Sequence, residues 1–112
     1  LLSAADLRDI VLLWIPHNHF NYVDFDVNKF VDYVLYCACN GLMRVGRDSA
    51  GRVDYICIWN CDEPDTIHFE FVAGRGAQWV ADRAEVLHGF KYFTMEKRGV
   101  RRRHKILKQH LT

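Results

Sequence analysis

Nothing in this chain stays apolar for long. Its uninterrupted hydrophobic runs, such as Ile10–Ile15, reach no more than seven residues, far short of the ~20 that a bilayer-spanning helix needs. No N-x-S/T sequon occurs, and Asp6, Arg8 and Asp9 break up the first apolar segment, so no secretory signal is readable. The four cysteines are poorly spaced for a metal. Cys37-Ala38-Cys39, and Cys57 and Cys61 with three residues between them, miss the two-residue spacing of zinc knuckles. His17, His19 and His68 are scattered and join Cys61 in no recognised ligand pattern, so no metal is expected. Repeats, linkers and low-complexity stretches are also lacking. These absences predict free thiols, no membrane segment and a reducing, cytoplasmic setting.

What the chain does have is core-forming material. Half of its 112 residues are hydrophobic and 13% are aromatic, which predicts one packed domain over residues 1–112. The charges are unevenly placed. Residues 1–90 carry seven Lys/Arg against thirteen Asp/Glu, whereas residues 91–112 carry eight basic residues and Glu96 alone. An acidic body with a cationic end either neutralises itself within the fold or offers that end to a polyanion.

The periodicity places the elements. Ser3 and Asp6 form a capping pair for a first helix to about Trp14, with Leu7, Ile10, Val11 and Trp14 as its stripe. Pro16 is expected to end it, leaving His17–Tyr22 as a loop that either binds a ligand or merely connects helices. Asp26 caps a second helix over Val27–Cys39, with Phe30, Val31, Val34, Leu35 and Ala38 on one face and Asn40-Gly41 as its stop. From Leu42 the period becomes 2. Strands are expected over Leu42–Arg47, Arg52–Asn60 and Thr66–Ala73, the third with Ile67, Phe69 and Phe71 on one side and His68, Glu70 and Val72 on the other. Gly74-Arg75-Gly76 then turns into a helix over Ala77–Leu87, with Val80, Ala84 and Leu87 inward. Strands over Phe90–Lys97 and Val100–Leu107 follow, joined at Arg98-Gly99. The order is α-α-β-β-β-α-β-β, an α+β domain with a mainly antiparallel mixed sheet flanked by helices.

A helix that opens directly off a strand aims its free backbone N–H groups over the turn, where an anion is favoured. That joint, Thr66–Val86 with its Gly74-Arg75-Gly76-Ala77 turn, together with the element order, resembles the GCN5-related N-acetyltransferase (GNAT) superfamily. The Arg-rich ending is similar to compact, bacteriophage-encoded members. The resemblance implies an acyl-CoA-dependent N-acyltransferase, using acetyl-CoA or another acyl-CoA, with Gly74, Arg75, Gly76 and Ala77 cradling the cofactor's pyrophosphate. The family pattern Q/R-x-x-G-x-G/A is shortened here, and the helix that the family places after the strand following the turn is replaced by another strand.

If acyl transfer occurs, Glu70 or His68, two residues apart on one strand face, would act as base, and the resemblance puts Tyr92 where a general acid sits. The plainer readings are a hydrogen-bonded pair under a helix and a sheet aromatic. Arg75 pairs either with a phosphate or with Asp82 or Glu85. The basic segment Arg98, Arg101, Arg102, Arg103 and Lys105 points to a different class: a non-catalytic virion or assembly protein that keeps the fold and contacts nucleic acid or other subunits. Such contacts would be electrostatic and salt-dependent. The acceptor amine stays open.

Overall fold

The computed structural model describes residues 2–21, 26–97 and 100–112. The reciprocal cap expected of Ser3 and Asp6 forms: the Asp6 N–H donates to Ser3 Oγ at 3.1 Å and the Ser3 N–H to Asp6 Oδ2 at 3.0 Å. Helix α1 then runs from Ala4 to Asn21, straight through Pro16. An interior proline costs a helix roughly 3 kcal/mol. Here the buried Trp14 is stacked on Phe30 with ring centroids 4.4 Å apart, and such packing offsets a missing backbone bond. The segment expected to be a loop is therefore helical as far as Asn21, and Tyr22 lies outside the described residues.

Helix α2, Val27–Cys39, starts where Asp26 accepts a bond from the Lys29 N–H at 2.8 Å. It buries Phe30, Val34 and Cys37. Leu35 and Ala38, expected inside, are exposed because the buried stripe runs one position round from them. The strands are β1 (Met43–Arg47), β2 (Val53–Glu63), β3 (Thr66–Gly74), β4 (Tyr92–Lys97) and β5 (Val100–Lys105). Helix α3 (Gly76–Val86) joins β3 to β4, and a 3-10 turn, Lys108–Leu111, follows β5. The element order is the expected one, with that short turn added.

The five strands form one sheet in the order β1-β2-β3-β4-β5. Every neighbouring pair is antiparallel except β3 with β4, whose crossover α3 makes them parallel. Helices α1 and α2 cover one face, burying Ile10, Trp14, Phe30 and Val34 against Ile56, Ile58 and Ala73. Helix α3 and the 3-10 turn cover the other, over Tyr55, Cys57, Ile67, Phe69 and Phe93. Each face holds one buried thiol, Cys37 on the first and Cys57 on the second, while Cys39 and Cys61 are exposed, and none of the four is joined in a disulfide. Burial pushes the Cys37 thiol up to about 11 and the Cys57 thiol up to about 12. Among the described residues no helix is long and apolar enough to cross a membrane.

Two of the irregularities in β-pairing set the sides of the residues near the site. Gly46 faces Tyr55 but Arg47 faces Val53, so Asp54 is an extra residue in β2. Ile58 faces Phe71 but Trp59 faces Phe69, so Glu70 is an extra residue in β3. A bulge sets two successive side chains on one face and reverses the alternation beyond it. Phe71 therefore leaves the side of Ile67 and Phe69 and packs toward α1 and α2, while Val72 turns toward α3, exchanging the sides expected of them.

Helix α1 is tied to the β1–β2 hairpin by charge. Asp6 accepts from both terminal nitrogens of Arg47, at 2.6 and 3.0 Å. Asp9, only 6% exposed, accepts from Arg52 Nη2 at 2.5 Å and from the Val53 N–H at 3.1 Å. Hydrogen bonds from these guanidinium groups hold both carboxyls below the usual Asp range.

Candidate functional site

Parallel pairing of β3 with β4 covers Thr66–Phe69 against Tyr92–Met95 and then stops. The next residue of β3 is the bulged Glu70, and from there β3 pairs with β2 alone, up to Gly74. The sheet thus loses its β3–β4 ladder on the side that leads to the turn into α3. A cavity of about 350 Å³ lies on the α1–α2 side of this opening. Trp14, Phe30, Tyr33 and Phe71 line it as an aromatic wall, and His68, Glu70, Glu96 and Arg101 supply its polar part.

The sequence pattern put His68 and Glu70 on one strand face, and the structure brings both into this cavity. The bulge preserves that relation: His68 alternates with Phe69, and Glu70 returns to the side of His68. Their surroundings differ. His68 is buried, with Nδ1 2.6 Å from Thr94 Oγ1 and Nε2 3.3 Å from Arg101 Nη2. A guanidinium only donates, so Nε2 is the acceptor there and Nδ1 carries the proton toward Thr94. With its lone pair committed to Arg101, His68 serves to position that arginine. Glu70 accepts a hydrogen bond from Asn60 Nδ2 on β2. Burial raises its carboxyl above the ordinary 4.5, and the Arg101 charge pulls in the other direction.

The remaining expected residues are spread more widely. Tyr92 sits at the paired end of β4, opposite Thr66. Its ring lies under the Arg103 guanidinium, 3.8 Å from the centroid, and it does not line the cavity. Gly74 has φ +101° and sits so close to β2 that a Cβ would fall 2.1 Å from the Asp54 carbonyl oxygen, a position only glycine can hold. Gly76 has no such need: its φ is ordinary and a Cβ there would meet open space.

Arg75 precedes the first turn of α3 and makes no side-chain cap. Its guanidinium turns back to Asp54 Oδ1 at 3.1 Å and the Arg47 carbonyl at 3.3 Å. It pairs with neither Asp82 nor Glu85, which Arg44 takes instead, at 3.6 and 2.5 Å. That bridge also explains the helix phase. Asp82 is buried over the sheet and Val80, expected inside, is 46% exposed. The first turn of α3, with Gly76 and Ala77, thus carries no capping side chain.

Of the basic segment, Arg98 lies outside the described residues. All of β5 is exposed. Arg101 and Arg103 turn to the α1–α2 side, toward His68 and Tyr92. Arg102 and His104 face the other side, where they line a second cavity with Arg83, Met95 and Val100. His104 also stacks on Phe93 at 5.0 Å. Sequence reading assigned Arg101 to polyanion contact and missed Glu96, Asn60 and the aromatic wall. A signal for Glu96 existed: it is the single acid among the eight bases of residues 91–112, two positions from Thr94 on the same strand face. The wall carried no such signal, because its four rings come from three separate elements. Among the described residues no three of His, Cys, Asp and Glu gather as a metal site would require. Comparison with protein-family models and with curated proteins finds no match, so the site is read from its own chemistry.

Proposed function

We propose that this chain is an acyl-CoA-dependent N-acyltransferase of the GNAT type, with Glu70 as its base. The observation that carries the reading is the one parallel strand pair, β3–β4, which unzips at a bulged, desolvated glutamate and opens toward an uncapped helix N-terminus. Such an arrangement suits a long, bent substrate with an anionic part at the turn and a reactive end between the strands. The turn fits phosphate: no side chain caps α3, Gly76 is clear of its surroundings, and Arg75 is drawn aside to Asp54.

An acyl-CoA supplies an acyl carbon activated as a thioester. Glu70 takes a proton from the acceptor ammonium and frees its lone pair. The amine would form the C–N bond as the C–S bond breaks, and the second proton shed by the new amide nitrogen would pass through solvent to the leaving thiolate. Asn60 steadies Oε1 of Glu70, leaving Oε2 for the acceptor. A raised pKa makes this carboxylate a stronger base than a surface glutamate. His68 keeps Arg101 in place, and Tyr92 is left with a packing role beneath Arg103.

Titration calorimetry with acetyl-CoA at low salt tests the reading, using the native chain and Gly76→Asp. The substitution meets no atom and adds a carboxylate where phosphate would lie. Saturable binding abolished by it supports the transferase. Absent binding, or binding that the variant keeps and salt removes, overturns it. That outcome favours the second reading, a non-catalytic assembly or virion protein, for which the exposed Arg102 and Lys105 on edge strand β5 offer contacts to nucleic acid or other subunits.

A further inference from the structure

The cavity beside Glu70 holds charges of both signs that do not close on each other. Arg101 from β5, Glu70 from β3 and Glu96 from β4 line it, the exposed Glu96 also bordering the cavity on the other side of the sheet. Among the described residues no ion pair joins Arg101 to either glutamate. Among the described residues the buried acids are each bonded to arginine: Asp6 to Arg47, Asp9 to Arg52 and Asp82 to Arg44. Glu70, half-buried at the cavity, is bonded to no arginine, and the Glu96 and Arg101 near it are exposed.

Each charge also has bonding capacity to spare. Arg101 is held through one nitrogen, Nη2, by a neutral imidazole, which leaves most of its five-donor fork available for a planar carboxylate. Glu70 has one oxygen on Asn60, and Asn60 Oδ1 is a buried acceptor with no partner among the described residues. The acidic side of the cavity is thus short of donors, and the basic side is short of an acceptor. Opposite both stands the aromatic wall of Trp14, Phe30, Tyr33 and Phe71. A volume of about 350 Å³ suits a small molecule.

We infer that the cavity takes a free α-amino acid with an apolar or aromatic side chain, and that its amine is the acyl acceptor. The carboxylate meets Arg101, the ammonium meets Glu70 and Glu96, and the side chain lies on the aromatic wall. A simple amine would leave the arginine fork empty, and a carboxylic acid would face two carboxylates. A lysine on a protein surface brings no carboxylate at the required separation. The fate of the amine rests on the transferase reading; the recognition does not.

The test is therefore a binding measurement without acyl-CoA. L-phenylalanine, phenethylamine and 3-phenylpropionate are titrated in turn into the full chain, and into Arg101→Gln, a substitution at an exposed position. Phenylalanine is expected to bind at least about tenfold more tightly than either half-molecule. In Arg101→Gln its advantage over phenethylamine should disappear, while circular dichroism shows the fold unchanged. Equal binding of phenylalanine and phenethylamine to the native chain, or no binding of phenylalanine, overturns the inference. A chain that binds acetyl-CoA at the turn but no amino acid remains a transferase with another acceptor. A chain that binds phenylalanine but no acetyl-CoA keeps this site and loses the transferase.

Discussion

The two flanks of β3 are made of similar residues and behave differently. Toward β2 the ladder runs from Thr66 to Gly74, and the acids near it are closed: Asp54 on Arg75, Asp9 on Arg52, Asp6 on Arg47. Toward β4 the ladder ends after four residue pairs, and Glu70, Glu96 and Arg101 surround a cavity without bonding to one another. Paired charges hold a fold in one geometry. Charges kept apart at the edge of a cavity hold a field for something else to satisfy.

The widest separation between the flanks should come from Glu70→Gln. If Glu70 is the base, acyl transfer falls by about 10²–10⁴-fold, and in the native chain the acid limb of kcat/KM against pH lies above the ordinary 4.5. Its effect on stability has the opposite sign. A carboxyl with a raised folded pKa contributes stability below its unfolded value and loses it as pH rises through the folded one. Gln, never ionised, should therefore raise the Tm at pH 7. An unchanged rate, or a lowered Tm, would place Glu70 among the structural acids.

Gly74→Ala strikes the closed flank. The added methyl falls on the Asp54 carbonyl at a φ that alanine rarely adopts. Unfolding in urea should show a loss of about 2–4 kcal/mol; a loss under 1 kcal/mol would mean that the turn moves freely away from β2. Asp9→Asn comes next, with a lower Tm at pH 7. The depressed Asp9 carboxyl lends stability that is complete above its ordinary 3.8 and lost as pH falls through the folded value. The gap between variant and native chain should therefore narrow in strong acid; a gap constant with pH would contradict the pairing. Smallest is Arg103→Ala, which removes the cation over Tyr92 and should cost roughly 0.5–1 kcal/mol with little effect on rate.

Much of the fold could be read from the residues because local chemistry decides it. Asp26 bonds the Lys29 N–H, the Ser3–Asp6 cap forms, and Gly74 takes a positive φ. His68 and Glu70 shared a face in the pattern and share a cavity in the structure. What escaped depends on distant partners. The bulges at Asp54 and Glu70 leave no mark on an alternating pattern, so the sides of Phe71 and Val72 were exchanged. Asp9 looks like a solvent-facing helix residue until Arg52, 43 positions later, is brought beside it. Val80 gave way to Asp82 for the same reason, since Arg44 sets the rotation of α3. Pro16 reads as a stop only when the stack of Trp14 on Phe30 is left out. The cavity was half legible: His68 and Glu70 followed from period 2, while its aromatic wall joins Phe71, turned over by the bulge, to rings from two helices whose crossing no local rule supplies.

The distribution of cysteine gives the molecule two internal clocks. Cys37 lies beneath α2 and Cys57 beneath α3, each shut away in a different half of the core and slow to form thiolate, while Cys39 and Cys61 stand in solvent. A thiol-reactive dye would therefore label the chain in two phases. The first would count the exposed pair, and the second would time how often each layer lifts from the sheet. Peptide mapping of that second phase would tell whether the two layers open together or one at a time.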